Sequence, residues 1–266
     1  MSASASDARP TPPVGGPRLI LASRSPRRAL LLEQAGYAFQ VIDPPYADPA
    51  DPNRAAPEAA AAGVGVSVVD PADNSNSRGV ESGVALAGWL ARRKARSVDL
   101  AALPRDAVVM AADTLAVDAE GGLLGTPESV DQARAMLSGL MGRPHRIATG
   151  VALRQHLADG TDGIDGAGAD IQSFVDQAVV CFPRIDPGEL SAYLDSGRWR
   201  GKAGGYNLAE RRAAGWDIDV QGDPATVMGL PMRRLIPRLE ELGVGRTTAG
   251  GRAAACPDPV TPGVGR

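Results

Sequence analysis

The sequence predicts an α/β fold, and three observations carry the expectation. The ordered part opens strand–helix–strand. Continuous apolar runs of strand length recur along the chain, and segments of helical periodicity bounded by capping residues lie between them.

Arg18–Ala22 is a short apolar run of strand length. Ser25-Pro26 supplies an N-cap and a first helical residue, because the N–H that proline lacks would be orphaned there anyway. The helix carries Leu30, Leu31 and Leu32 and stops at Gly36, a residue suited to the left-handed turn that ends helices. Phe39–Ile42 reads as a second strand. From Pro44 to Ser82 the chain turns to Pro, Ala, Gly, Asp, Ser and Asn and loses apolar periodicity. Residues 44–82 are therefore expected to form a low-complexity insertion, too long for an ordinary connection. A helix through Trp89, Leu90 and Lys94 follows, then an apolar strand, Ala107–Ala112, ending in Asp113-Thr114. Ser129 caps a helix in which Ala133, Met136, Leu137 and Leu140 share one face. Strands through Ile147–Leu153 and Phe174–Phe182 flank a Gly/Asp-rich stretch, 157–170, expected to be a flexible loop. Asp186-Pro187-Gly188-Glu189 is a capping box opening a helix that ends at Gly197, and the last core helix follows Pro231. One domain, residues 18–244, is expected between disordered tails at 1–17 and 245–266.

Composition sets the bounds. A chain of 266 residues allows one large domain or two small ones, and 44% hydrophobic residues exclude a wholly disordered chain. Aromatics are 4%, so the core must be Leu, Val, Ile and Ala. The 32 glycines and 22 prolines make up about a fifth of the chain, where ~12% is usual. A net charge of −3 is not the basic footprint of a nucleic-acid binder. Cys181 and Cys256 form no CxxC pair, and with His145 and His156 as the only histidines they provide no zinc set and no disulfide framework. No apolar run approaches the ~18 residues of a membrane span, and the N-terminus lacks the basic-then-apolar order of a signal peptide. The expectation is a protein of the cytoplasm with neither nucleic-acid nor membrane partners.

The usual phosphate and hydrolase motifs are absent: there is no GxxxxGK[ST], HExxH or GxSxG. What remains is a set of polar residues where strands end. Ser23-Arg24-Ser25-Pro26-Arg27-Arg28 lies between a strand and a helix N-terminus. Unpaired N–H groups and the positive end of the helix dipole welcome an anion there, and Arg27 and Arg28 add charge-assisted donors. The same segment reads equally as a simple cap followed by a solvated helix face. Asp113, at the end of an apolar strand, suits a cation ligand or a base that activates water, and also suits an ordinary turn. Lys94 on an arginine-rich helix reads as solvated. Lys202 sits in the glycine-rich Gly201–Gly205, where backbone approaches a ligand closely. Asp223 reads as a turn residue and His145 as structural.

These pieces occur in the order of one family. Leu21–Arg28, Leu90–Ala95, Ala112-Asp113-Thr114, the stretch from Met136 through Leu140 to His145, Thr149-Gly150, Trp199 through Gly201–Tyr206, and Gly222–Pro231 resemble the Maf family of nucleoside triphosphate pyrophosphatases. The resemblance covers roughly Arg18 to Gly243. It implies an elongated mixed sheet bent around a central cleft, with flanking helices, and a homodimer. It further implies hydrolysis of a nucleoside triphosphate to the monophosphate and pyrophosphate with Mg²⁺ or Mn²⁺. Removal of non-standard or excess nucleotides, with a link to arrest of cell division, is the associated role. Carried over by position, Asp113 is the catalytic acid residue and a metal ligand. Ser23, Arg27 and Arg28 form the phosphate loop, Lys94 and Lys202 bind substrate, and Asp48 stands where the family has a metal-binding Glu. The chain departs from the pattern at Thr126, where the family has Lys, and at Ala209, where it commonly has Gln. Those departures also admit a nucleotide-binding regulator with weakened catalysis. The cues to the preferred base conflict.

Overall fold

β1 (Arg18–Ala22) is buried along all but its first residue and pairs in parallel with β2 (Phe39–Ile42) on one side and β3 (Ala107–Val117) on the other. The computed structural model that shows this describes residues 16–46, 52–64, 76–157 and 171–247. Beyond β3 the sheet turns antiparallel through β5 (Pro144–His156), β6 (Ile171–Cys181) and the short β7 (Asp219–Gln221), while β4 (Leu123–Leu124) pairs with the far end of β3. The order is β2-β1-β3-β5-β6-β7, a mixed sheet as expected.

Helices cover both faces. Residues of β3 alternate: Val109, Ala111 and Leu115 face α3 (Asn76–Ser97), whereas Val108, Met110, Ala112 and Ala116 face the opposite layer. That opposite layer is divided. One cluster packs α1 (Pro26–Gln34) and α8 (Met232–Glu241) against Val108, Met110 and Ala112. The other packs α4 (Val130–Leu140) and α5 (Pro187–Asp195) with Tyr206 and Trp216 against Ala116 and Ile147.

The local signals hold at most boundaries. α1 starts at Pro26 and is followed by Gly36 at φ +81°. The Ser129 hydroxyl accepts from the Gln132 N–H, and Asp186 accepts from the Gly188 and Glu189 N–H groups. Ser25 stands at the cap position of α1, but its side chain makes no capping bond.

Three stretches differ from expectation. β3 does not end at Asp113; its ladder with β5 runs unbroken from Ala107 to Val117, because Leu115, Ala116 and Val117 bury on both faces. β5 is longer than Ile147–Leu153, since Arg146, Arg154 and Gln155 pair despite their polarity. The described residues of 44–82 include a 3₁₀ turn (Pro52–Arg54), helix α2 (Ala56–Ala61) and the first residues of α3. Ala55, Ala56 and Ala59 pack onto Leu86 and Trp89 of α3, and Arg93 pairs with Glu58 at 2.6 Å while stacking on Trp89 and Tyr46. Residues 158–170 of the expected loop, and residues 1–15 and 248–266 of the expected tails, lie outside the described residues. The described start of the C-terminal tail is docked, the Thr247 N–H and hydroxyl both donating to the Gly36 carbonyl at 2.8 Å. Among the described residues no helix is long and apolar enough to cross a membrane.

Candidate active site

The cleft opens where β1 stops and β3 continues. β1 pairs with β3 only as far as Met110, and β4 takes up the same edge only at Ala116. Between them that edge of β3 has no strand partner among the described residues, and the ends of the neighbouring strands leave room there for a ligand. Asp113 lies in that gap. Ser25 comes from the β1–α1 turn, Arg27 and Arg28 from the first turn of α1, and Lys94 from α3. Thr126 follows β4, and Gly201, Ala203 and Tyr206–Leu208 with Val227, Met228 and Gly229 close the far side.

Asp113 and Lys94 form a buried ion pair. The Lys94 ammonium donates to Asp113 Oδ1 at 2.7 Å and to the Ala112 carbonyl at 3.3 Å. The residues are 6% and 5% exposed. Asp113 Oδ2 is buried with no hydrogen-bond partner among the described residues. A buried carboxylate oxygen left open beside a cleft is an acceptor waiting for a ligand, since such groups are costly when unpaired.

The floor is a polar seam between the two apolar clusters. Thr114 and Thr149 are register partners on β3 and β5 and hydrogen-bond at 3.0 Å. The Thr149 hydroxyl donates to the Thr226 carbonyl at 2.8 Å, so Thr114 must donate to Thr149. Thr114 in turn accepts from Arg28 at 3.2 Å, and the Thr226 hydroxyl donates to Asp176 at 2.6 Å. Arg28 also donates to the Ser23 hydroxyl at 3.0 Å and to the Gly229 carbonyl at 3.0 Å.

The expected substrate groups therefore divide. Arg27, Arg28 and Lys94 line the cleft together with Asp113. Arg28 is a strut joining the β1–α1 turn, β3 and Gly229. Arg27 carries no hydrogen bond or ion pair among the described residues, and burial lowers its pKa against the opposing pull of Glu210. Ser23 lies one layer down, supporting Arg28 and the Ser25 N–H. Gly201 and Ala203 line the cleft, but the Lys202 side chain is paired with Glu210 at 2.6 Å. Asp48 lies outside the described residues. Asp223 caps α7 (Pro224–Val227), as a turn residue would. Thr126 lines the cleft, whereas Ala209 is exposed on α6 (Leu208–Ala213) and is not part of the wall. Thr114 and Thr149 stand in recognisable sequence blocks that give no hint of their role, and Asn207 carries no sequence signal at all. The β-register that joins the two threonines is not visible in residues 35 apart.

His145 is structural. Its Nε2 bonds the Tyr206 hydroxyl at 2.8 Å between the edges of Phe182 and Tyr206, and burial pulls its pKa down to about 4. The unfolded chain takes up this proton near pH 6.5 and the folded protein only near 4. The folded state thus has its full stability above pH 6.5 and loses about 3 kcal/mol of it as pH falls to about 4. In urea titrations His145→Gln, which keeps a partner for Tyr206, is expected to flatten that part of the profile.

The model of the family described as Maf-like protein matches residues 18–242. A dTTP/UTP pyrophosphatase of Salinibacter ruber is 36% identical over 217 residues, covering 82% of this chain and 87% of its own. One from Pelotomaculum thermopropionicum is 32% identical over 225 residues, covering 85% and 96%. A third, from Rhodopseudomonas palustris, is 34% identical over 223 residues, covering 82% and 89%. A solved nucleoside-triphosphatase, a dITP/XTP pyrophosphatase of Mycobacterium abscessus, aligns with 68% of this chain and 94% of its own at 13% identity. Its TM-score of 0.28 is too low to bear on the fold.

Proposed function

This chain belongs to the Maf-like protein family and is a nucleoside triphosphate pyrophosphatase, and we propose that its cleft hydrolyses UTP or dTTP with Asp113 as general base. One observation carries the assignment of roles: the buried Asp113–Lys94 pair, with Oδ2 open, shares a cleft with the unpaired cation of Arg27.

The chemistry follows from charge. A triphosphate brings several negative charges into a site whose lining offers Arg27, Arg28 and Lys94. Preorganised cations neutralise charge that develops on the leaving pyrophosphate without reorganising. Lys94 holds Asp113 by Oδ1, which fixes the carboxylate and leaves the two lone pairs of Oδ2 free. Oδ2 accepts the hydrogen bond, and then the proton, of the attacking water. Arg28, locked into the threonine seam, holds the β1–α1 turn in the shape that presents Arg27.

The residues also fit a divalent cation. Oδ2 is an orphaned buried oxygen of the kind Mg²⁺ or Mn²⁺ takes. No group of three acidic, histidine or cysteine side chains stands ready to hold a metal among the described residues. The fit is therefore to a cation that arrives with the triphosphate and draws most of its oxygens from phosphates and water. When bound, it withdraws charge from the reacting phosphate. Asp48 is proposed as a second carboxylate. The homodimer, the cytoplasmic setting and the removal of unwanted nucleotides are part of the same proposal.

Pyrophosphate release from UTP and dTTP is expected with Mg²⁺ or Mn²⁺ and is expected to vanish with excess chelator. Undiminished release in chelator would remove the metal from the account. The regulator reading rests on Thr126, which puts a hydroxyl where the family has a cation. It predicts triphosphate binding with no pyrophosphate formed.

A further inference from the structure

The cleft has two chemical characters. Around Asp113 it is charged; around Ile147, Leu208, Val227 and Met228 it is apolar, suited to the faces of a base ring. An apolar wall holds a ring but does not tell one pyrimidine from another, because uracil, thymine and cytosine have similar faces. Discrimination needs a fixed donor or acceptor at the ring edge.

Asn207 supplies one. It lines the cleft, yet is only 9% exposed. Its Oδ1 accepts from the Glu210 N–H at 3.2 Å, capping α6, and its carbonyl accepts from the Arg211 N–H at 3.0 Å. The cap fixes the orientation of the amide, because only the oxygen accepts a bond from an N–H. Nδ2 is then the group left over, and it has no partner among the described residues. Its polar neighbours do not compete for the role. The Tyr206 hydroxyl is spent on His145, and the Thr126 hydroxyl serves as donor or acceptor alike and so does not discriminate.

We infer that Asn207 reads the base: its amide nitrogen donates to the 4-oxo group of uracil or thymine and sets the cleft against cytosine. Cytosine presents an amine at that position, which would leave two donors facing each other with neither satisfied. The inference rests on the pyrimidine reading of the cleft and adds the residue that enforces it.

Asn207→Asp is the decisive variant. It keeps the capping oxygen for Glu210 and replaces the donor with an acceptor of the same shape. Asn207→Ser also keeps a cap but does not reach the base. The readout is the ratio of dissociation constants for uncleavable α,β-imido analogues of UTP and CTP, measured by calorimetry on the full chain. A preference for uracil of about tenfold or more is expected in the wild type. It should fall to near one in Asn207→Ser and reverse in Asn207→Asp. Ratios rather than absolute affinities are compared, because the added negative charge weakens both triphosphates. A wild type without preference, or a ratio equal in all three proteins, overturns the role of Asn207. If pyrophosphate is still released from UTP in that case, the proposed reaction stands. If the wild type releases none from any nucleotide, the reaction falls, and the binding ratio still decides Asn207.

Discussion

Asp113→Asn is expected to lower pyrophosphate release by about a thousandfold or more, the scale of a lost general base. The amide offers no proton acceptor where Oδ2 stood, while its oxygen still reaches Lys94. The same change has a structural cost. Lys94 is 5% exposed and would lose its counter-charge, and removing one member of a buried pair typically costs about 3–5 kcal/mol. A triphosphate supplies the missing negative charge. The variant should therefore be less stable than the wild type when empty, yet gain more in thermal midpoint on binding UTP. Turnover and binding are expected to part company, with kcat lost and affinity kept or raised. A variant that loses affinity in step with rate would mean that Asp113 only shapes the site.

Gly150→Ala is expected to do its damage through α3. Gly150 is the register partner of Asp113, and a Cβ there would stand 2.3 Å from the Ala87 carbonyl oxygen and 2.8 Å from Gly88 Cα. These are backbone atoms, so no side chain can turn aside to relieve the clash. The helix must lift off the sheet at the level of the catalytic pair. Overpacking of this kind costs about 1–3 kcal/mol, occasionally more, and the helix displaced is the one that carries Lys94. Urea unfolding should show the loss, and kcat should fall at least tenfold, since misplacement by about 1 Å is enough for that. Gly139→Ala in α4 is the control. It has open space around the new Cβ and should gain a few tenths to about 1 kcal/mol from helix propensity.

Much of this architecture is written in local residue choices. Ser25-Pro26 and Gly36 bracket α1, Ser129 and Asp186 cap α4 and α5, and the runs at Arg18 and Ala107 are strands because each is apolar over a strand's length. Such features depend on neighbours within a turn or two and are legible without a structure. Others depend on distant partners. A lysine on an arginine-rich helix reads as solvated, but Lys94 is buried because Gly88 and Gly150 let α3 settle close to the sheet beside Asp113. Asp113 and Thr114 interrupt an apolar run and look like a strand end. They lie instead just beyond Met110, where β1 leaves the edge of a strand that continues. Helix α2 hides in a low-complexity stretch because its buried face is alanine, which carries little periodic signal. Asn207 reads as one more polar residue in a glycine-rich turn until the cap on α6 shows which end of its amide is committed.

The reaction itself is the claim on which the rest depends. UTP should be incubated with the wild type and with Asp113→Asn in Mg²⁺ or Mn²⁺, and the products separated and identified. The account predicts UMP and pyrophosphate in equal amounts from the wild type and almost none from the variant. UDP and orthophosphate, or pyrophosphate formed as fast without the Asp113 carboxylate, would contradict it.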